Sequence, residues 1–149
     1  MAERAAVDTV VQTVPIELAL RYAHPLGALA PYFAGLERGV AMATRCGACG
    51  RTWFAPRLVC TCGGAKVEWT QLSGRGTLVA VTHGRATLPG TQITAQFGFA
   101  LIRLDGADNQ CFGRLAAASA SLAAGSAVRV SRAAGDWAHP AQCVEYVPG

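Results

Sequence analysis

The sequence predicts a mainly β protein in which a short N-terminal helix and a small cysteine-bearing module precede a closed barrel of five strands. Apolar residues recur at helical spacing shortly after Pro25, four of the six cysteines lie within residues 46–62, and five β-prone runs cut by glycine follow Gly64. The three predicted parts are an N-terminal arm with the helix, the cysteine module and the barrel, over residues 1–41, 42–67 and 68–149.

The predicted helix follows an arm without a sustained hydrophobic period. Residues 1–24 form this arm, which we expect to become extended through "IELALRY". In "PLGALAPYFAGLERG" the apolar side chains recur at helical spacing, so we predict a helix over residues 28–38 with Pro31 in its first turn and Gly39 as its stop. These apolar residues are Leu29, Phe33 and Leu36. The next segment, "VAMATRC", predicts a strand that leads into the cysteine module.

The cysteine module carries a pattern that favours a metal site. Cys46 and Cys49 form a C-x-x-C followed by Gly50, and a ten-residue hairpin separates them from a second close pair, Cys60 and Cys62. Zn²⁺ prefers tetrahedral thiolate coordination, and in a C-x-x-C turn two sulfurs reach one ion while backbone N–H groups donate to them. The pattern predicts a rubredoxin-like zinc ribbon with these four cysteines as ligands. The zinc would be structural, because four thiolates leave no position for substrate or water.

The second cysteine pair leaves alternatives open. Cys60 and Cys62 are separated by Thr61 alone, and two such residues can bind one ion only through an irregular turn, since on a regular strand both point to the same side. A disulfide is the minority interpretation in a reducing cytosol. A redox couple of Cys46 and Cys49 would need a preceding strand and a following long helix of the thioredoxin type.

The five β-prone runs beyond Gly64 predict the barrel. The first, "KVEWTQLSGRGTLVAVTHGRA", is too long for one strand, and its Gly74 and Gly76 would let it bend sharply. The other four are "TQITAQFGFALIRLDG", "NQCFGRLAA", "GSAVRVSRAA" and "AQCVEYVP". Cys111 and Cys143 lie inside two of these runs, where we expect them to pack as small buried apolar residues.

The composition excludes several classes of protein. Hydrophobic residues make up 52% of the 149 residues, which is ample for a core, and no stretch approaches the ~18 apolar residues of a membrane span. Glu3 and Asp8 interrupt the N-terminus, which lacks the pattern of a secretion signal, so we expect a cytoplasmic protein. The net charge of +4 comes from scattered arginines rather than from a basic tail that would bind nucleic acid.

The order of these features resembles a family of zinc-ribbon plus OB-fold proteins that accompany thiolases and thiolase-like enzymes, long catalogued as a domain of unknown function. The likeness covers roughly residues 25–147, and the family normally spaces its second cysteine pair as C-x-x-C, one residue longer than here. The opening "LRYAHPLG" is similar to the subgroup that serves acyl-CoA degradation, such as sterol side-chain or benzylsuccinyl-CoA pathways. Besides the two cysteine pairs, the matching residues are Trp53, Phe54, Pro56, Arg57, Glu68, Trp69, Ser73, Gly74 and Gly76.

The resemblance implies that this chain is an accessory subunit that forms a heterotetramer with its partner, rather than a catalyst on its own. The thiolase-like or aldolase-like partner would carry the nucleophilic cysteine and the Claisen or retro-Claisen chemistry. This chain would dock beside it and help to form or gate the acyl-CoA pocket. Arginines can meet the phosphates of CoA by charge-assisted hydrogen bonds. The candidates for this contact are Arg57, Arg75, Arg85 and Arg103.

Two other functions compete with the accessory role. OB-folds often bind single-stranded nucleic acid on aromatic platforms, and Phe97, Phe99 and Phe112 lie in barrel runs, although "FGFALI" is more typical of core alternation. Catalysis by this chain would need an acid–base pair such as His83 with Asp105 or Glu68. The residues that we consider for a shared active site are Tyr22, His24, His83 and Asp105.

Overall fold

The computed structural model describes most of the chain, with its first residues and a few short segments left out. The described residues are 13–20, 22–87, 94–116, 119, 121–137 and 139–149. The first half of the predicted arm, residues 1–12, therefore lies outside the described part. Residues 13–20 and 22–26 form neither helix nor strand, and the side chains of 13–20 and 22–25 are exposed.

The predicted N-terminal helix is present in two parts. A 3₁₀ turn, Gly27–Leu29, leads directly into α1, Ala30–Leu36. Pro31 lies in the first helical turn, where its missing N–H costs no intrahelical hydrogen bond. The chain leaves the helix at Gly39, which has a φ of +68° and whose N–H donates to the Leu36 carbonyl at 3.0 Å. Within the described residues, the helices are too short or too polar to cross a lipid bilayer.

The cysteine module is built on a small antiparallel sheet. Its strands β1 (Met42–Cys46), β2 (Thr52–Trp53) and β3 (Val67–Gln71) lie in the order β2-β1-β3. The buried Thr44 of β1 holds the hairpin that follows β2, because its Oγ1 donates to the Arg57 carbonyl at 3.0 Å and accepts from the Arg57 N–H at 2.9 Å. A hydroxyl that satisfies both backbone groups fixes the hairpin against the sheet.

The remaining strands close into the predicted five-stranded barrel. They are β4 (Arg75–Thr87), β5 (Thr94–Leu104), β6 (Cys111–Leu115), β7 (Ala127–Arg132) and β8 (Val144–Pro148). The order around the barrel is β4-β5-β6-β8-β7, and β7 pairs with β4 to complete it. The β6–β8 pair is parallel and the others are antiparallel. This order and these directions confirm the mainly β fold with a five-stranded barrel of the OB type.

The long first run of the predicted barrel is shared between the two sheets. Its first part is β3, which pairs with β1, and its second part is β4 of the barrel. Gly74 between them has a φ of +75°, and a Cβ on Gly76 would collide with the carbonyl oxygen of Arg103. Gly74 therefore makes the predicted bend, which leads from the ribbon to the barrel rather than across the barrel, whereas Gly76 lets β4 approach β5 closely. The division of the chain at residues 67 and 68 stays a prediction.

The Tyr146 side chain of β8 fills the barrel interior next to Gly113 of β6, where the absence of a side chain leaves room for its ring. Only 2% of Tyr146 is exposed, and a Cβ on Gly113 would overlap its ring. Its hydroxyl lies 3.2 Å from the sulfur of the half-buried Cys111, and burial raises the pKa of both groups. Cys143 is buried and its thiol donates to the Pro140 carbonyl at 2.7 Å. Cys143 is thus buried as the sequence predicts, whereas Cys111 is half-buried and lies beside a hydroxyl group.

The inward face of β5 is the opposite of the one that "FGFALI" suggests. Ala100 and Ile102 are buried at 1% and 0% exposure, whereas Phe99 is half-buried and Arg103 is exposed. Since alternate residues of a strand point to opposite faces, the Phe99 side chain belongs to the outer face of the barrel. The core-alternation interpretation was therefore wrong for Phe99, and the side chain of Phe97 lies outside the described part.

A set of hydrogen bonds, here called the ribbon–barrel clamp, joins β2 to the loop between β5 and β6. The clamp comprises Thr52 and Phe54 with Asp108 and Asn109. The Thr52 N–H donates to Asp108 Oδ2 at 2.7 Å, and the Asp108 N–H donates to the Thr52 carbonyl at 2.9 Å. Asn109 accepts from the Phe54 N–H at 2.9 Å and donates to its carbonyl at 2.6 Å. The Phe54 ring is buried and lies 5.8 Å from that of Tyr32 in α1, so ribbon, helix and barrel share one core.

We expect Asn109→Ala to destabilise the fold through the ribbon–barrel clamp. The substitution leaves the N–H and the carbonyl of the buried Phe54 without their side-chain partners, which should lower the free energy of unfolding by about 2 kcal/mol. The measurement is urea denaturation of both proteins. Gln110→Ala, at an exposed neighbouring position, serves as the control. Equal midpoints for Asn109→Ala and the wild type would show that the clamp contributes nothing to stability.

Candidate metal centre

Four cysteine sulfurs lie together at one end of the ribbon and are here called the cysteine tetrad. The Sγ atoms of Cys46, Cys49, Cys60 and Cys62 all lie within 4.8 Å of one another. Two of the separations are 3.7 Å, between Cys46 and Cys62, and 3.6 Å, between Cys49 and Cys60. With zinc–sulfur bonds of about 2.3 Å, a tetrahedron places its sulfurs about 3.8 Å apart. The tetrad could therefore bind a metal such as zinc.

The first cysteine pair is held by a turn at the end of β1. The Gly50 N–H donates to the Cys46 carbonyl at 2.8 Å, and Gly50 has a φ of +72°. This turn directs the N–H groups of Cys49 and Ala48 at the Cys46 sulfur, and these hydrogen bonds lower the pKa of Cys46. Sequence and structure agree here, because a C-x-x-C followed by glycine predicts this turn.

The short second pair joins the tetrad through an irregular turn. The Gly63 N–H donates to the Cys60 carbonyl at 2.9 Å, and the φ of Gly63 is +85°. The Cys60 N–H in turn donates to the Gly64 carbonyl at 2.9 Å. The chain thus reverses around Thr61 instead of continuing as a strand, and both sulfurs reach the tetrad. A spacing one residue shorter than C-x-x-C does not keep Cys62 away.

The tetrad also depends on a residue that has no side chain. A Cβ placed on Gly64 would lie 3.0 Å from the Cys46 sulfur and 3.4 Å from the Cys62 sulfur. It would also lie 3.0 Å from the Cβ of Ala48 in the first turn. A side chain at position 64 would therefore require the Cys46 sulfur or Ala48 to shift by a few tenths of an ångström. The residues around the tetrad fit a bound metal.

Trp53 contacts the tetrad from the hairpin strand β2. Its indole N–H points at the Cys60 sulfur, with the two atoms 3.4 Å apart. The Cys62 N–H and this indole N–H lower the pKa of Cys60 to about 6. The Arg51 N–H acts to lower the pKa of Cys49, but hydrogen bonds with the Cys62 and Cys60 sulfurs raise it to about 11. Donors aimed at a sulfur favour the thiolate, which is the form that binds a metal.

The candidate CoA-binding arginines do not form a single cluster. Arg57 lies on the ribbon hairpin, where its guanidinium carbon sits 4.6 Å from the centre of the Trp53 ring. Arg75 opens β4 and Arg103 lies opposite Thr77, so these two arginines share one end of the barrel. Arg85 lies ten residues beyond Arg75 on the same strand, a path of about 30 Å along an extended chain. All four side chains are exposed.

A shallow groove lies at the barrel end that carries Arg103. Its volume is about 470 Å³, and its lining includes Thr77, Leu78, Arg103 and Asp105. The groove thus offers one guanidinium and one carboxylate side by side.

The residues considered for a shared active site are also dispersed. His83 pairs with Gly98, whereas Asp105 follows the end of β5 and donates its N–H to the Arg75 carbonyl at 2.8 Å. His83 lies seven positions beyond Gly76, the partner of Leu104, along β4, a path of about 23 Å. The strand register therefore keeps His83 and Asp105 apart. Glu68 lies opposite Arg45 in the ribbon sheet, on a different sheet from His83.

Tyr22 and His24 contact each other on the exposed N-terminal segment. Their ring centres are 6.4 Å apart and their planes are inclined by 80°, in an edge-to-face arrangement. Both side chains are exposed. Both residues therefore lie on the exposed N-terminal segment and away from the barrel residues His83 and Asp105 in sequence.

The outer face of the barrel carries an aromatic pair whose stacking the sequence did not predict. Phe99 of β5 and Phe112 of β6 stack with ring centres 5.3 Å apart and planes 19° apart, and 69% of Phe112 is exposed. Beside Phe112 on β6, Arg114 lies 5.1 Å from the Trp137 ring centre and 3.7 Å from a Glu145 carboxylate oxygen. The sequence names both phenylalanines as candidates for an aromatic platform, but their contact depends on the register of β5 with β6, which pairs Leu101 with Phe112.

Comparison with known proteins identifies the fold. No protein-family model matches the chain, and no curated protein sequence matches it either. A solved structure named as the Ltp2-ChsH2(DUF35) aldolase superposes with a TM-score of 0.63 at 18% identity, over 86% of this chain and 98% of that one. A DUF35 protein of unknown function from Sulfolobus solfataricus superposes with a TM-score of 0.59 at 15% identity, over 83% and 87%. The chain therefore has the fold of these DUF35 proteins.

Proposed function

We propose that this chain is an accessory subunit of a thiolase-like or aldolase-like acyl-CoA enzyme. It docks on the catalytic subunit and helps to form or gate the pocket for the CoA substrate. The observation that carries this proposal is the superposition over 98% of a DUF35 chain whose name joins it to the Ltp2 aldolase. The separation of His83 from Asp105 is consistent with a partner that supplies the catalytic groups. A heterotetramer with two copies of each chain stays part of the proposal.

We further propose that the cysteine tetrad holds a structural Zn²⁺. The sulfur separations of 3.6 Å and 3.7 Å support tetrahedral coordination, and four thiolates complete the shell of the ion. Cys46 and Cys60 are buried whereas Cys49 and Cys62 are exposed, so metal can enter from one side. The ion would fix the hairpin that carries Arg57, since a ribbon of this size cannot bury enough surface to hold its own shape.

The CoA would meet this chain at the interface through its phosphates. Arg103 and Arg75 are the pair that the strand register supports, because both lie at the groove end of the barrel. Exposed guanidinium groups are free to form bidentate hydrogen bonds with phosphate oxygens. Arg57 on the hairpin and Arg85 at the far end of β4 would each need a separate contact with the ligand.

One observation favours the second candidate function, binding of single-stranded nucleic acid. The Phe99–Phe112 stack lies on the second and third barrel strands, the face that OB-folds use for oligonucleotides, and Phe112 is largely exposed. Arg114 on the same strand supplies a positive charge, although Glu145 partly neutralises it. The net charge of +4 is small for this function, so we place it second.

For the zinc site, we expect one zinc per chain in the wild-type protein. Cys62→Ser should weaken zinc affinity at least about 100-fold, because it removes one of four thiolates. The measurement is metal content combined with competition by a chromophoric chelator. Cys111→Ser is the matched control, since Cys111 lies in the barrel and contacts Tyr146. An unchanged one-to-one ratio in Cys62→Ser would remove Cys62 from the set of ligands.

For the accessory role, we expect this chain to co-elute with the thiolase-like protein of the same organism after co-expression. Acyl-CoA cleavage should depend on both chains. In the complex, Arg103→Ala should raise the KM for acyl-CoA about tenfold with a smaller change in kcat, because a phosphate contact acts mainly on binding. Arg38→Ala, at an exposed position beyond α1, is the control. Full activity of the partner alone, with no complex formed, would refute the accessory role.

For the second function, the wild-type chain should bind a labelled single-stranded oligonucleotide at low salt, and added salt should weaken the binding. Phe112→Ala should lower the affinity at least about tenfold, since it removes a stacking surface. Fluorescence anisotropy measures both effects. Val59→Ala removes an exposed apolar side chain from the ribbon hairpin instead and serves as the control. If the wild type leaves the anisotropy unchanged at low salt, this function is excluded.

A further inference from the structure

The N-terminal segment exposes a row of large apolar side chains. They occupy alternating positions, and each is between 77% and 85% exposed. These residues are Val14, Ile16, Leu18, Leu20 and Tyr22. The segment itself forms neither helix nor strand. We call residues 14–20 together with Tyr22 the docking arm.

The exposed apolar side chains of the docking arm form a continuous row. Each of the five residues leaves more than three quarters of its surface open to solvent. Single exposed apolar residues are ordinary, whereas contiguous ones mark interaction sites. The row therefore indicates a surface that another molecule covers.

The described part of this chain does not offer a matching apolar surface. In the described residues the arm pairs with no strand of this chain, neither in the barrel nor at β3, which has a free edge in the ribbon sheet. Outside the arm, the large apolar side chains found exposed in the described residues are Leu58, Val59 and Phe112. The first two lie on the ribbon hairpin and the third on the barrel face, so they form no groove as long as the arm. The complementary surface therefore belongs to another protein.

The alternation of the arm indicates how it binds. On an extended chain, alternate side chains share one face, and the N–H and carbonyl of each residue point to the same edge. Pro15 removes a donor from the edge formed by the odd-numbered residues, whereas the edge formed by the even-numbered residues keeps all of its N–H groups. The even edge can therefore pair with a strand while the even side chains fill a groove. Glu17 makes a surface of anionic lipid a poor alternative.

We propose that the docking arm adds as a strand to a free sheet edge of the thiolase-like subunit, with its apolar side chains in a groove beside that edge. This inference rests on the proposed accessory role and adds the segment and the mode of contact. Strand addition of this kind takes affinity from main-chain hydrogen bonds and specificity from pockets for alternate side chains.

The test compares two variants of the full chain for binding to the purified thiolase-like subunit. The triple variant Ile16→Asp, Leu18→Asp, Leu20→Asp should bind at least about 100-fold more weakly than the wild type. The matched control, Glu17→Gln with Ala19→Ser, changes the opposite face of the same segment and should bind like the wild type. Calorimetric titration measures the affinities. Both variants should keep the wild-type Tm, because these side chains are exposed.

Amide hydrogen exchange in the complex supplies a second readout. We expect slowed exchange at Ile16, Leu18 and Leu20 and fast exchange at Glu17 and Ala19, since only the even edge pairs with the partner. Uniform fast exchange along the arm in the complex would overturn the strand-addition mode. If the triple variant binds as tightly as the wild type, the arm is not the docking element and the accessory role stands. If the wild type does not bind the subunit at all, both proposals fail.

Two other binding partners of the docking arm, a second copy of this chain and a lipid membrane, are tested by separate measurements. Light scattering of the isolated chain would reveal a dimer that the triple variant loses, and with unchanged affinity for the subunit this result would assign the arm to a second copy. Sedimentation with vesicles of phosphatidylcholine and phosphatidylglycerol would reveal arm-dependent membrane binding. Either result would overturn the proposed occupant.

Discussion

Four hydrogen bonds join Asp108 and Asn109 to Thr52 and Phe54 on the outer edge of the ribbon sheet. On this edge β2 has no neighbouring strand of its own sheet. β2 lies at the edge of the order β2-β1-β3, and it contains two residues. An edge of this length has little stability by itself. The clamp supplies hydrogen bonds on the open side of β2, where Asp108 and Asn109 take the place of a neighbouring strand. The position of the whole ribbon relative to the barrel follows from these contacts.

The clamp and the cysteine tetrad meet in two adjacent residues. Trp53 and Phe54 point to opposite sides of the chain, as neighbours on a strand do. The Trp53 indole donates to the Cys60 sulfur, whereas the Phe54 ring is buried in the core shared with α1 and the barrel. A disturbance at the sulfurs can therefore reach the core through a single peptide unit. This proximity explains why an aromatic pair follows the first cysteine knuckle in the sequence pattern.

Much of the fold could be predicted because its signals are local. The C-x-x-C turn, the bend at Gly74 and the helix stop at Gly39 each depend on residues next to them. The clamp could not be predicted, since Asp108 and Thr52 are 56 positions apart and "DGADN" has the composition of an ordinary turn. The inward face of β5 could not be predicted either, because alternation allows either Phe99 and Leu101 or Ala100 and Ile102 to point into the barrel. The register of β5 with β4 and β6, which joins residues far apart in the sequence, fixes the inward face.

The contrast between a rigid body and an exposed arm bears on how such a chain would recognise a partner. The barrel, the ribbon and α1 share one core, so the hairpin and the barrel face keep a fixed relation to each other. The arm has no comparable packing, and ordering it on a partner costs backbone entropy for each residue fixed. Burial of its apolar row can offset that cost only where a groove of matching length exists. In the proposed docking mode, a partner that lacks the groove would gain nothing from the arm, so this exposed segment would discriminate between partners.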